Sequence, residues 1–154
     1  GGWQVAGVGT FQSGRPFSVY SGFYTFNNVV QSFANCDGCT PTMGNVQDGP
    51  GGVKWFFTAD QLAKFKPLGM GELGNTGRNF FRSPGGWGLD GSFLKRTAIT
   101  ERVNFEFRAD MTNLTNPPQF GAPTATATST IFGRIRDTVL SSSRKIQLGA
   151  KINF

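Results

Sequence analysis

At 154 residues the chain has the length of one ordinary domain, yet 22 Gly, 16 Phe, no His and only 16% charged residues give it an unusual composition. Gly weakens helices and Phe suits pleated, half-buried strands, which excludes a helix-led fold. The net charge of +6 comes from 15 scattered basic residues. No run is longer than the pairs Lys95-Arg96 and Arg144-Lys145, which speaks against a nucleic-acid role.

The first predicted strand spans about residues 2–20. Trp3, Val5, Gly7, Gly9 and Phe11 fall on one face and Gln4, Ala6, Thr10 and Gln12 on the other, with Val8 breaking the polar set. The pattern is expected to continue past Ser13-Gly14-Arg15-Pro16 into Phe17 to Tyr20. A connection of about residues 21–84 follows, rich in Gly, Asn and Phe, with one helical pattern at Thr58 to Lys66. A second strand is predicted over about 86–95, with Trp87, Leu89, Gly91 and Phe93 on one face and Asp90 and Ser92 on the other. After the short Arg96 to Glu101 segment, a third spans about 102–112. There Val103, Phe105, Phe107, Ala109 and Met111 alternate with Asn104, Glu106, Arg108, Asp110 and Thr112. A second long connection covers about 113–143. The last strand, about 145–154, alternates strictly: Ile146, Leu148, Ala150, Ile152 and Phe154 against Lys145, Gln147, Gly149, Lys151 and Asn153.

About ten alternating residues is the span a tilted membrane strand needs, against five or six in a typical soluble strand. No stretch of about 18 apolar residues is present, which excludes a helical span and leaves strands that alternate and average out as polar. Two long connections flank one short turn, the asymmetry of an outer-membrane barrel with long extracellular loops and short periplasmic turns. The expected fold class is therefore all-β: an antiparallel up-and-down transmembrane β-barrel segment of about four strands, occupying residues 1–154. Its loops are expected outside the cell and its C-terminus in the periplasm. Gly1-Gly2-Trp3 opens inside a strand pattern, so a piece of something longer is expected, with Phe154 as its end.

Several segments carry a family resemblance: Gly2-Trp3-Gln4-Val5, Gln12-Ser13-Gly14-Arg15-Pro16-Phe17, Gly74-Asn75-Thr76-Gly77-Arg78-Asn79, Ile99-Thr100-Glu101-Arg102-Val103 and Phe107-Arg108-Ala109-Asp110. Asn113-Leu114-Thr115-Asn116, Phe132-Gly133-Arg134-Ile135 and Arg144-Lys145-Ile146-Gln147-Leu148-Gly149 complete the set. Together they resemble the C-terminal end of TonB-dependent outer-membrane receptors, nearest the Oar-like branch with a carboxypeptidase-regulatory-like N-terminal domain. The resemblance implies a barrel of about twenty-two strands around a plug, importing bulky nutrients with energy relayed by TonB. The plug and the TonB-contacting parts are not in this sequence. Its partners would be outer-membrane lipid, the rest of the parent barrel and its plug, and the barrel-assembly machinery. That machinery would read Phe154 as an assembly signal; an aromatic there would also anchor the strand at the membrane interface. Four strands leave two open edges, which lipid does not tolerate. The chain is thus expected to be part of a larger barrel or, alternatively, a structural protein whose copies pair into an oligomeric barrel or surface fibre.

No catalytic, cofactor or metal residues are expected. Cys36-Asp37-Gly38-Cys39 has the spacing of a redox pair but lacks the thioredoxin-like context, and a zinc site would need ligands that are missing. A disulfide between Cys36 and Cys39 bracing an extracellular loop remains, with free thiols as the other reading. Glu106 and Asp110 share a strand face about 13 Å apart, too far for a glycosidase pair, and with Arg108 read as a lumen-facing charge ladder. Trp55-Phe56-Phe57, Phe65 and Phe80-Phe81 could contact a ligand or form a small core of the loop itself. Trp3, Trp87 and Phe93 are candidates for interfacial aromatic girdles. Gly74-Asn75-Thr76-Gly77 lacks the Lys of a phosphate loop.

Overall fold

A computed structural model describes residues 1–24, 31–69, 71–138 and 143–154. The chain forms two compact units: Gly1–Gln12, Gly86–Gln119 and Val139–Phe154 make one, Ser13–Gly85 and Phe120–Thr138 the other. The first is a sheet, the second a loop unit. Parts of both long connections, at 25–30, 70 and 139–142, lie outside the described residues.

The sheet is built from β1 (Trp3–Gln12), β2 (Gly86–Ala98), β3 (Asn104–Thr112) and β4 (Lys145–Asn153), all antiparallel and in chain order across the sheet. β1 ends at Gln12 instead of running on to Tyr20. Pro16, which has no N–H to donate to a continuing ladder, and Phe17 leave the sheet and pair with Arg82 and Phe81. β2 is longer than its alternation suggested, ending at Ala98, because its last residues pair with β3 down to Ala98↔Asn104. Between them the turn is closed by Thr100, whose Oγ1 accepts from Val103 N at 3.1 Å while Ile99 N donates to Val103 O at 2.9 Å. At the other end of β3 the left-handed Asn113 and Asn116 (φ 53° and 52°) bend the chain, a conformation Asn takes more readily than other non-Gly residues. Asn113 N donates to Asp90 Oδ1 at 2.8 Å and Leu114 N to Leu89 O at 2.7 Å, fastening the bend to β2.

The registers Gln12↔Gly86 and Thr112↔Lys145 put both long connections at one end of the sheet. The turn and the Trp3 and Asn153 strand ends lie at the other.

The loop unit has its own core. Val19, Ala34, Cys36, Met43, Phe56, Phe57, Phe81, Phe132 and Ile135 are buried together, with Phe17, Phe65 and Phe80 packed against them. The rings meet mostly edge-on or tilted, as their quadrupoles prefer, with Phe65 and Phe132 at 4.8 Å and 89°. Both connections contribute: Arg134-Ile135 pairs with Trp55 and Lys54, which pair in turn with Gln47 and Asp48. The helical pattern at Thr58 to Lys66 yields only a short α1 (Ala59–Leu62), started by a Thr58–Gln61 capping box. Phe65-Lys66 is claimed instead by a ladder with Asn35-Cys36.

The Gly74 to Asn79 motif is a clasp. A Cβ on Gly74 would lie 2.1 Å from Phe33 O and 2.3 Å from Ala34 O, so only Gly fits. That close approach lets the Asn75 amide act as a strand neighbour for Cys36, accepting from its N–H at 2.8 Å and donating to its carbonyl at 3.0 Å. Thr76 N and Oγ1 both donate to Ala34 O, at 3.1 and 2.7 Å. Removing the amide leaves the main chain of a buried residue without partners, so Asn75→Ala is expected to cost about 2 kcal/mol. Limited proteolysis of the folded protein should show cleavage within 13–85 at lower denaturant than in the parent; unchanged resistance would show that the clasp is unimportant.

Candidate functional site

The functional element is the sheet itself, because its register sorts side chains into two unlike faces. On one face the rows across the strands are Phe11–Trp87, Gly9–Leu89, Gly7–Gly91–Met111–Ile146, Val5–Phe93–Ala109–Leu148, Trp3–Lys95–Phe107–Ala150 and Thr97–Phe105–Ile152. Lys95 is the one charged residue in these rows. Its Nζ lies 4.8 Å from the Trp3 ring centroid and donates to Gly1 O at 2.8 Å, so the head reaches the sheet's end while the stem stays on the apolar surface. From the Trp87 row to the Thr97 row is ten residues of β2. At about 3.3 Å per residue and a tilt of about 40°, that rises about 25 Å, the height of an outer-membrane barrel's apolar band.

Every residue of β1 and β4 is exposed and none of β2 or β3 is buried. Val5 is 68% exposed, Leu148 66% and Ile146 57%. An apolar face this large is untenable in water for a folded protein, and lipid is the medium that covers it. Trp87 with Phe11, and Trp3, stand near opposite ends of the band, as interfacial aromatics do. Phe93, expected in a girdle, sits in the Val5–Leu148 row inside the band.

The opposite face carries mostly hydrogen-bonding groups, with Ala6, Val8, Leu94 and Ala98 its apolar exceptions. Ser92 Oγ donates to Asp110 Oδ1 at 2.7 Å, and Arg108 Nε pairs with Asp110 Oδ2 at 2.8 Å. Arg96 Nε pairs with Glu106 Oε2 at 2.7 Å, directly across the β2–β3 register. Glu106, Arg108 and Asp110 thus do form a charge ladder, but each carboxylate has its own cation. Arg96 and Ser92 as the partners were not evident from β3 alone; the cross-strand register supplies them.

Cys36 and Cys39 are joined in a disulfide, Cα–Cα 5.7 Å, in the loop unit. Of its aromatic residues, Phe56, Phe57, Phe81 and Phe132 are buried in the core, so these rings hold the loops together. Phe154 follows β4 in the sheet unit and is fully exposed. Among the described residues no group of three or more His, Cys, Asp or Glu is placed to hold a metal ion, and no helix is long and apolar enough to cross a membrane.

A four-stranded antiparallel sheet with one lipid-compatible and one polar face defines a wall segment of a bacterial outer-membrane β-barrel. A family model for the outer membrane beta barrel domain matches residues 1–147, and the chain belongs to that family. No curated protein and no solved structure matches the chain.

The two faces predict opposite responses to one substitution at neighbouring positions. Leu148→Arg should cost about 2–4 kcal/mol of folding stability in lipid vesicles, as a cation near mid-membrane does. Gln147→Arg should stay within about 0.5 kcal/mol. Urea titration followed by the gel-mobility shift of folded barrels measures both; equal costs would contradict the assignment of faces.

Proposed function

We propose that this chain is the C-terminal barrel portion of a TonB-dependent outer-membrane transporter for bulky nutrients, of the Oar-like type, with no catalysis of its own. The observation that carries this is the pair of open edges. Among the described residues β1 and β4 each have a ladder partner on one side only, and unpaired main-chain groups in a bilayer must find partners in further strands. A large barrel supplies those strands, and a large barrel has room for bulky cargo. The polar face, with its ion pairs, would then line the lumen and meet a plug or water. The two long connections at one end of the sheet would face outward and the turn and Phe154 the periplasm, where Phe154 serves the barrel-assembly machinery. TonB would act through parts N-terminal to this sequence. The open edges are equally the motive for a second reading, in which copies of the chain pair edge to edge into an oligomeric barrel or fibre.

The test is made in the native organism. The folded species extracted from outer membranes is expected to be one polypeptide several times longer than 154 residues. Its uptake of a labelled bulky nutrient should stop when TonB is lost, and deleting Phe154 should lower its amount in the membrane. A ring or fibre of identical short chains would establish the second reading, and uptake independent of TonB would refute the first.

A further inference from the structure

The loop unit holds a cavity that the barrel does not use. Its volume is about 360 Å³, at the lower end of the range that takes small molecules. It forms where Lys54-Trp55 pairs with Arg134-Ile135, and its lining includes Gly51-Gly52, Lys54, Arg134, Arg136 and Asp137. Three cations face one carboxylate in that lining. Lys54 is already paired with Asp48, which is not part of it. Arg134 and Arg136 have no ion-pair partner among the described residues.

One atom turns this charge balance into an argument for a ligand. Arg134 Nε is buried and has no hydrogen-bond partner among the described residues. Folded proteins leave few buried donors unmet, and a donor on a charged group is the most expensive to leave so. The same guanidinium lines the cavity, so an acceptor brought in from outside the chain would pair with its remaining N–H groups. The turn beside it is shaped to leave room: Gly51 and Gly52 both have positive φ, 69° and 76°, and a Cβ at either would meet nothing within 4 Å. The cavity lining there is bare main chain.

The geometry points to this cavity as a binding site for a small oxyanion, a phosphate or carboxylate group carried by a soluble ligand or by a lipid headgroup. A guanidinium presents planar, paired N–H donors that match both anions, and two of them lie two residues apart here. The site rests on the loop unit alone and stands or falls independently of transport.

The test uses the full-length outer-membrane protein in neutral detergent micelles at fixed ionic strength. Calorimetric titrations are made with inorganic phosphate, with succinate and, separately, with micelles doped with phosphatidic acid. Saturable binding of at least one is expected, not reproduced by chloride and weakened about tenfold or more in Arg134→Gln and Arg136→Gln. Arg136 is exposed, so its variant keeps the experiment decisive if loss of Arg134 disturbs folding. Binding of the free anions identifies a soluble ligand, and binding of the doped micelles alone identifies a headgroup. Absence of saturable binding, equal competition by chloride, or unchanged affinity in Arg136→Gln would overturn the proposal.

Discussion

The constraint on which everything else rests is that a bilayer offers no hydrogen bonds to a peptide backbone. Any segment inside it must satisfy its N–H and C=O groups within protein. In this chain the answer is four long antiparallel strands in unbroken register, from Trp3↔Lys95 through Asn104↔Asn153. Once the backbone is committed to that ladder, the pleat sends alternate side chains to opposite faces. The chemistry of the two faces then follows from what each must touch. One is a row-by-row apolar surface interrupted by Lys95 at its margin; the other carries Ser92, Asp110, Arg108, Glu106 and Arg96 in mutual pairs. Hydrophobic burial, which assembles a soluble sheet from within, has here been moved to the outside.

The loop unit obeys the ordinary rule in the same polypeptide. There Phe residues that would be surplus in a sheet gather into a core of edge-on and tilted rings. Its secondary structure is fragmentary, a set of two- to five-residue ladders, so side-chain clasps do what long ladders do elsewhere. Asn75 on Cys36, Thr76 on Ala34, and the Cys36–Cys39 disulfide fix one segment three times over. Such pinning gives a long connection a defined surface, which a binding site needs.

The sheet was legible in the sequence because period-two alternation is a local signal. Ile146, Leu148 and Ile152 declare their face without knowledge of any neighbour. The end of β1 is not legible locally because Phe17 to Tyr20 continues the apolar pattern, whereas the main chain at Pro16-Phe17 is taken by Arg82-Phe81, some sixty-five residues on. The same reason hid the co-folding of the two connections. Arg134-Ile135 and Lys54-Trp55 are too far apart in the chain for any periodicity to relate them. The helical pattern at Thr58 to Lys66 is a local signal that holds only at its start, because Phe65-Lys66 goes to a distant ladder and the helix stays short. Where the charge ladder was concerned, Glu106, Arg108 and Asp110 were placed on one face, but their partners Arg96 and Ser92 came from across the strand register. Local signals read the membrane wall well, and non-local pairing decides the loops.

Whether lipid covers the apolar face is tested most directly by a nitroxide scan along β4. Spin labels placed singly from Lys145 to Asn153 in the membrane-embedded protein report collisions with oxygen, which concentrates in lipid, and with a water-soluble nickel chelate. A lipid-covered face gives a two-residue oscillation, with oxygen favoured at 146, 148, 150 and 152 and the chelate at 145, 147, 149 and 151. A flat profile, or chelate access at Leu148 equal to that at Gln147, would contradict it.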